Sequence, residues 1–124
     1  MKKWLILFLV LSLAMNLLLY GVIFWKGMYT ANEKDQVILG EMVQQVIESQ
    51  QYKSLNEKEK VLAVNSSVDR NKGGVFPFHY SVMVYTAEKV YIFECKDKNC
   101  AAVGLVGTMY SRYEDSELLL PFDD

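Results

Sequence analysis

The chain of 124 residues holds one histidine, two cysteines and two prolines, and it has no charge between Lys3 and Lys26. Each scarcity excludes something. A zinc site takes about four N, S or O ligands, and His79 does not complete a set with the two cysteines. No nucleophile or acidic partner adjoins His79, so it reads as a strand residue rather than a general base. Gly104-Leu105-Val106-Gly107-Thr108 lacks the lysine and the spacing of a phosphate loop, and neither G-x-S-x-G nor H-E-x-x-H occurs. The 13 basic and 15 acidic residues form no basic patch, which argues against a nucleic-acid partner. Asn65-Ser66-Ser67 is formally a glycosylation acceptor, relevant only in a eukaryotic secretory route. No cofactor and no enzymatic activity are expected.

What is present begins with Trp4 to Trp25, an uninterrupted apolar run. At about 1.5 Å per residue it can cross a hydrocarbon core of roughly 30 Å, and Trp4, Tyr20, Trp25 and Tyr29 suit the two interfaces. A cleaved signal peptide is the rival reading, but Met15 to Trp25 stays apolar and no polar region brackets a cleavage site after Ala14. The expectation is an uncleaved signal anchor and a single-pass protein of the cell membrane. Lys2 and Lys3 precede the span, which favours a cytoplasmic N-terminus and an extracytoplasmic C-terminal domain. The expected organisation is a short cytoplasmic tail at 1–3, the anchor at 4–25, a juxtamembrane linker at 26–32 and an α+β domain at 33–124. Within the anchor, Ser12, Asn16 and Tyr20 recur along one helix face. That stripe is a candidate contact for another membrane helix, although a single Asn is also tolerated in so apolar a span.

Beyond Lys26 the chain is long enough for one small domain with a single core. Thr30 with Glu33 reads as a capping box opening a helix over Glu33 to Gln51, with Ile38, Leu39, Met42, Val43, Val46 and Ile47 on its apolar side. Lys53 to Lys60 is polar and reads as a connector. The period then changes to two. Leu62, Val64 and Val68 share a strand face, Asn71-Lys72-Gly73-Gly74 is a turn signal, and Phe76 to Val84 alternates, with regular pairing expected only after Pro77. A two-residue loop at Ala87-Glu88 or Glu88-Lys89 leads into Val90 to Cys95, and either choice puts Tyr80, Val82 and Val84 on the face of Tyr91, Phe93 and Cys95. Lys96 to Asn99 turns into a last strand at Ala101 to Val106; pairing Cys95 with Cys100 sets Ala102 and Gly104 opposite Phe93 and Tyr91. The fold class is therefore α+β: an N-terminal transmembrane helix, then an amphipathic helix packed on a four-stranded antiparallel β-meander. In element order alone, helix then four strands, this resembles cystatin-like modules.

Cys95 and Cys100 flank a four-residue turn as cross-strand neighbours. Three readings stay open for them: a structural disulfide in an oxidising compartment, free thiols in a reducing one, or metal and redox chemistry, which the C-x4-C spacing suits least. The sheet face opposite the helix is unusually apolar. Met83, Tyr85, Ile92, Val103 and Leu105, with Leu119 and Phe122 from the tail, are candidates for a partner face. Either Leu118 to Phe122 folds back over that face or another protein covers it.

These features lead to an expected function: a non-catalytic membrane accessory protein that binds and stabilises, assembles or regulates a larger membrane or envelope partner. A structural subunit of a surface or secretion filament is the alternative, self-association into a homo-oligomer is compatible with either, and a small thiol or ligand-handling enzyme stands third.

Overall fold

A computed structural model describes residues 1–71 and 75–120. Three helices precede four strands: α1 (Lys2–Tyr29), α2 (Glu33–Glu48), α3 (Gln50–Lys58), β1 (Ala63–Val68), β2 (Tyr80–Tyr85), β3 (Lys89–Cys95) and β4 (Val103–Tyr110). A 3-10 turn, Arg112–Glu114, follows β4. The expected α+β architecture is what the chain forms.

α1 buries none of its residues against the rest of the chain. Its 28 residues make a rod of about 42 Å. Among the described residues it is the one helix long and apolar enough to cross a membrane. The stretch expected as a linker is helical as far as Tyr29, which leaves only Thr30 to Asn32 between α1 and α2. The cap of α2 is not Thr30 with Glu33. Asn32 is the N-cap, its Oδ1 accepting the Asp35 N–H at 2.9 Å while Asp35 Oδ2 accepts the Asn32 N–H at 3.0 Å. Thr30 instead ends α1 in extended geometry.

α2 buries Asp35, Leu39, Met42 and Val46, at intervals of four, three and four residues. Ile38 and Val43 pack beside them half-buried, whereas Ile47 is exposed, so the apolar stripe is narrower than the sequence alone indicates. The supposed connector is mostly helix. Ser49, in extended geometry, breaks the run; its Oγ then accepts the Tyr52 N–H and caps α3, which turns Tyr52 and Leu55 toward the core.

The sheet is a meander in the order β1-β2-β3-β4, antiparallel throughout. Regular pairing starts at Tyr80, after Pro77, so Phe76 and Phe78 lie in turns rather than on the strand face. The β2–β3 loop is Ala87-Glu88, with Tyr85 opposite Val90, Val84 opposite Tyr91 and Val82 opposite Phe93. Val82, Val84 and Phe93 form the core together with Leu39, Met42 and Val46 of α2 and with Val68, Tyr80, Cys95 and Val103, and Tyr91 packs against it half-buried. Of the turn expected at 71–74, Lys72, Gly73 and Gly74 lie outside the described residues.

The β3–β4 register departs from expectation. Cys95 faces Val103, Glu94 faces Gly104 and Phe93 faces Leu105; a bulge follows, and Tyr91 meets Thr108. The turn is longer than four residues because Asp97 Oδ1 accepts the N–H groups of Asn99 and Ala101, at 3.0 and 3.1 Å, and carries the chain through Cys100 at φ 50°. Because side chains alternate, this shift turns Val103 and Leu105 onto the helix side of the sheet. Val103 is buried in the core there. Neither belongs to the far face to which the sequence pattern assigns them.

Candidate functional site

The feature that ties the apolar helix to the folded domain is a buried carboxylate. Asp35 sits at the third position of α2, where the positive end of the helix dipole favours an acid. Its Oδ2 accepts from Arg70 Nη2 at 2.6 Å and its Oδ1 from the Tyr80 hydroxyl at 2.6 Å. Burial alone would raise this carboxyl, but the hydrogen bonds from Arg70 and Tyr80, the Asn32 N–H and the Arg70 charge outweigh it and hold the group at about 2. Burial and the neighbouring Asp35 carboxylate push the Tyr80 phenol up to about 12.

Arg70 reaches in the other direction as well. Its Nη1 donates to the Gly27 carbonyl and its backbone N–H to the Met28 carbonyl, both at 3.0 Å. These are C-terminal carbonyls of α1, which have no partner inside their own helix. One arginine therefore caps the negative end of α1 and pairs the acid at the positive end of α2. The last turn of the apolar helix, the start of α2 and the end of β1 are fixed to one another at this point.

Sequence reasoning missed this joint, although a signal was present. Asp35, Leu39, Met42 and Val46 share one helix face, and a carboxylate on a buried stripe requires a cation.

Of the expected sites, Cys95 and Cys100 are brought together: they are disulfide-bonded, with Cα atoms 4.9 Å apart. The Cys100 carbonyl accepts from Gln45 Nε2 at 3.1 Å, which ties the hairpin tip to α2. Ser12, Asn16 and Tyr20 lie exposed along α1; Asn16 Nδ2 donates to the Ser12 carbonyl of its own helix at 2.8 Å. Met83, Tyr85 and Ile92 do lie together on the far face of the sheet, half-buried, with Met83 directly opposite Ile92. That face is met in part by the chain's own stretch after β4, at Ser111 and Tyr113. Ser111 Oγ donates to the Thr86 carbonyl at 2.7 Å, and the Tyr113 ring packs edge-on against Tyr85 at 6.0 Å. Leu119 and Leu120 remain 73% and 61% exposed, and Phe122 lies outside the described residues. His79 is buried against the Tyr80 ring in the turn before β2.

On the helix side, α3 and the β4 edge enclose a groove of about 480 Å³. Leu55, Tyr91, Phe93 and Leu105 give its apolar lining, and Gln51, Lys58 and Glu59 its polar lining. Burial and a hydrogen bond to Glu59, 3.0 Å away, raise the Tyr91 phenol. Among the described residues, no group of three His, Cys, Asp or Glu side chains is placed to hold a metal ion. The chain matches no protein-family profile, no curated protein and no solved structure.

Proposed function

We propose that this chain is a non-catalytic, single-pass membrane accessory protein. α1 anchors it in the cell membrane with the N-terminus in the cytoplasm. The α+β domain stands outside, where it binds and stabilises, assembles or regulates a larger membrane or envelope protein. The observation that carries the reading is the Arg70 joint. A flexible tether would let the domain search freely, whereas capping the end of α1 with a residue of the domain holds its faces at a set height and tilt above the bilayer. Such a mount suits contact with a neighbour in the same membrane.

Three further features support it. The lysines before the apolar run favour this orientation. A disulfide suits an oxidising compartment outside the cytoplasm. Met83, Tyr85 and Ile92 on the far face, and the Ser12/Asn16/Tyr20 stripe in the apolar helix, offer a partner two contact surfaces. The test is affinity purification of the full chain from its native membranes after mild crosslinking. A larger membrane or envelope protein should be recovered repeatedly, and its yield should fall when Asn16→Leu is combined with Ile92→Lys. Recovery of the chain alone, across crosslinkers and detergents, contradicts the proposal.

A further inference from the structure

The connection between β1 and β2 leaves two apolar side chains in the open, at the end of the sheet that meets α1. Val75 is 70% exposed and Phe76 56%, whereas Pro77 after them is buried. At its base the connection is closed by the Asp69 N–H, which donates to the His79 carbonyl at 2.9 Å, and the Phe78 N–H turns back onto the Val75 carbonyl at 2.8 Å. Phe76 is held in place. Its ring packs edge-on to Tyr80 at 5.9 Å and tilted to His79 at 6.2 Å, and the Tyr80 hydroxyl in turn bonds Asp35 in the first turn of α2. The exposed pair is therefore braced on the same joint that caps α1.

The height of that pair along α1 follows from the joint. The apolar run ends at Trp25, and the Gly27 and Met28 carbonyls lie only about 3–5 Å further along the helix axis. Arg70, where the connection begins, donates to both. Trp25 and Tyr29, with ring centroids 5.0 Å apart, are the residues suited to headgroup level. A connection that starts at this level is within reach of the headgroup–acyl boundary, into which interfacial apolar side chains sink about 5–10 Å. Its charge does not oppose this. From Asn71 to Ala87 the chain has no Asp or Glu, and Asp69, just before, turns its carboxylate onto the Asn71 N–H at 3.0 Å. We infer that Val75 and Phe76 dip into the lipid surface beside α1, so that the bilayer interface is itself a ligand of the folded domain. The inference rests on α1 spanning the membrane, but on neither the side where the domain stands nor a partner protein.

The test places the purified full chain, at low protein-to-lipid ratio, in phosphatidylcholine vesicles containing a lipid brominated near the top of its acyl chains. Both native tryptophans lie in α1. With Trp4→Phe and Trp25→Phe as background, single tryptophans are introduced as Phe76→Trp, Val75→Trp or Tyr110→Trp, each replacing an exposed side chain. Tyr110 pairs with Lys89 at the opposite end of the sheet and serves as the distant position. A chain carrying Trp4→Phe alone reports on Trp25. Bromine should quench Phe76→Trp and Val75→Trp about as strongly as Trp25 and leave Tyr110→Trp unchanged. Quenching of Trp25 without quenching at either loop position overturns the inference and leaves the span intact; the loop would then face water or a protein. Unquenched Trp25 overturns the span and the inference with it. Equal quenching of Tyr110→Trp also overturns the inference, because the domain would then lie on lipid without a preferred contact.

Discussion

Replacing Asp35 with asparagine tests the joint most sharply, because it removes one charge and leaves nearly the same shape. At neutral pH the substitution leaves the Arg70 guanidinium, one-third exposed, facing a neutral amide. Removing one partner of a buried pair costs about 3–5 kcal/mol, and the partial exposure of Arg70 places the expected loss at or below the low end, roughly 2–3 kcal/mol. The pH dependence gives an independent figure. The folded carboxyl lies at about 2, below its ordinary 3.8. A depressed acid contributes stability that is complete above its unfolded pKa and lost as pH falls through the folded one. Wild type should therefore lose just under about 2 kcal/mol from this group between pH 4 and pH 2, and Asp35→Asn should lack that component. At the alkaline end the sign reverses. The Tyr80 phenol, raised to about 12, contributes stability below its ordinary 10 that disappears as pH climbs toward 12. The two shifts share the Asp35–Tyr80 hydrogen bond and are not additive. The assay is equilibrium denaturation of the full chain in detergent, followed by tyrosine near-ultraviolet dichroism. Equal stability of the two proteins at pH 7, or equal slopes between pH 4 and pH 2, refutes the reasoning.

Gly40→Ala should stabilise the domain by up to about 1 kcal/mol, because an added Cβ meets no atom within 4 Å and the site is an exposed helix interior; a lower denaturation midpoint contradicts this. Replacing Cys95 and Cys100 together with alanine should cost about 2 kcal/mol, the closure entropy of so short a loop, and unchanged stability in oxidising buffer would show that the bond contributes nothing. Tyr113→Ala should cost about 1–2 kcal/mol through its contact with Tyr85, whereas Leu119→Ser with Leu120→Ser should stay within about 0.5 kcal/mol in dilute detergent. The reverse order would mean that the leucines, and not Tyr113, cover the far face.

The meander and the β2–β3 register were legible because strict alternation leaves one core face whichever loop is chosen. Val82, Val84, Phe93 and Cys95 fall where the period of two puts them. α3 was not legible: Lys53 to Lys60 holds a single apolar residue, Leu55, and the Ser49 cap that starts the helix sits inside what reads as one continuous helix. The β3–β4 register escaped because two local side-chain effects set it, the Asp97 bonds that lengthen the turn and the bulge at Ile92/Phe93, and neither leaves a periodic trace. Val103 and Leu105 changed faces as a consequence. The joint escaped for a different reason. Asp35 and Arg70 lie 35 residues apart, and each by itself reads as a solvated charge. Only the Asp35/Leu39/Met42/Val46 stripe hinted that one of them was buried.

The proposed function rests on the domain standing outside the cytoplasm, and a topology reporter tests that directly. A dual reporter fused after Asp124, one half active only outside the cytoplasm and the other only within it, should show activity of the outer half alone, and Cys95 and Cys100 should resist thiol alkylation in intact cells until a reductant is added. Activity of the cytoplasmic half, with both cysteines alkylated directly, would reverse the orientation and remove the envelope partner from the account.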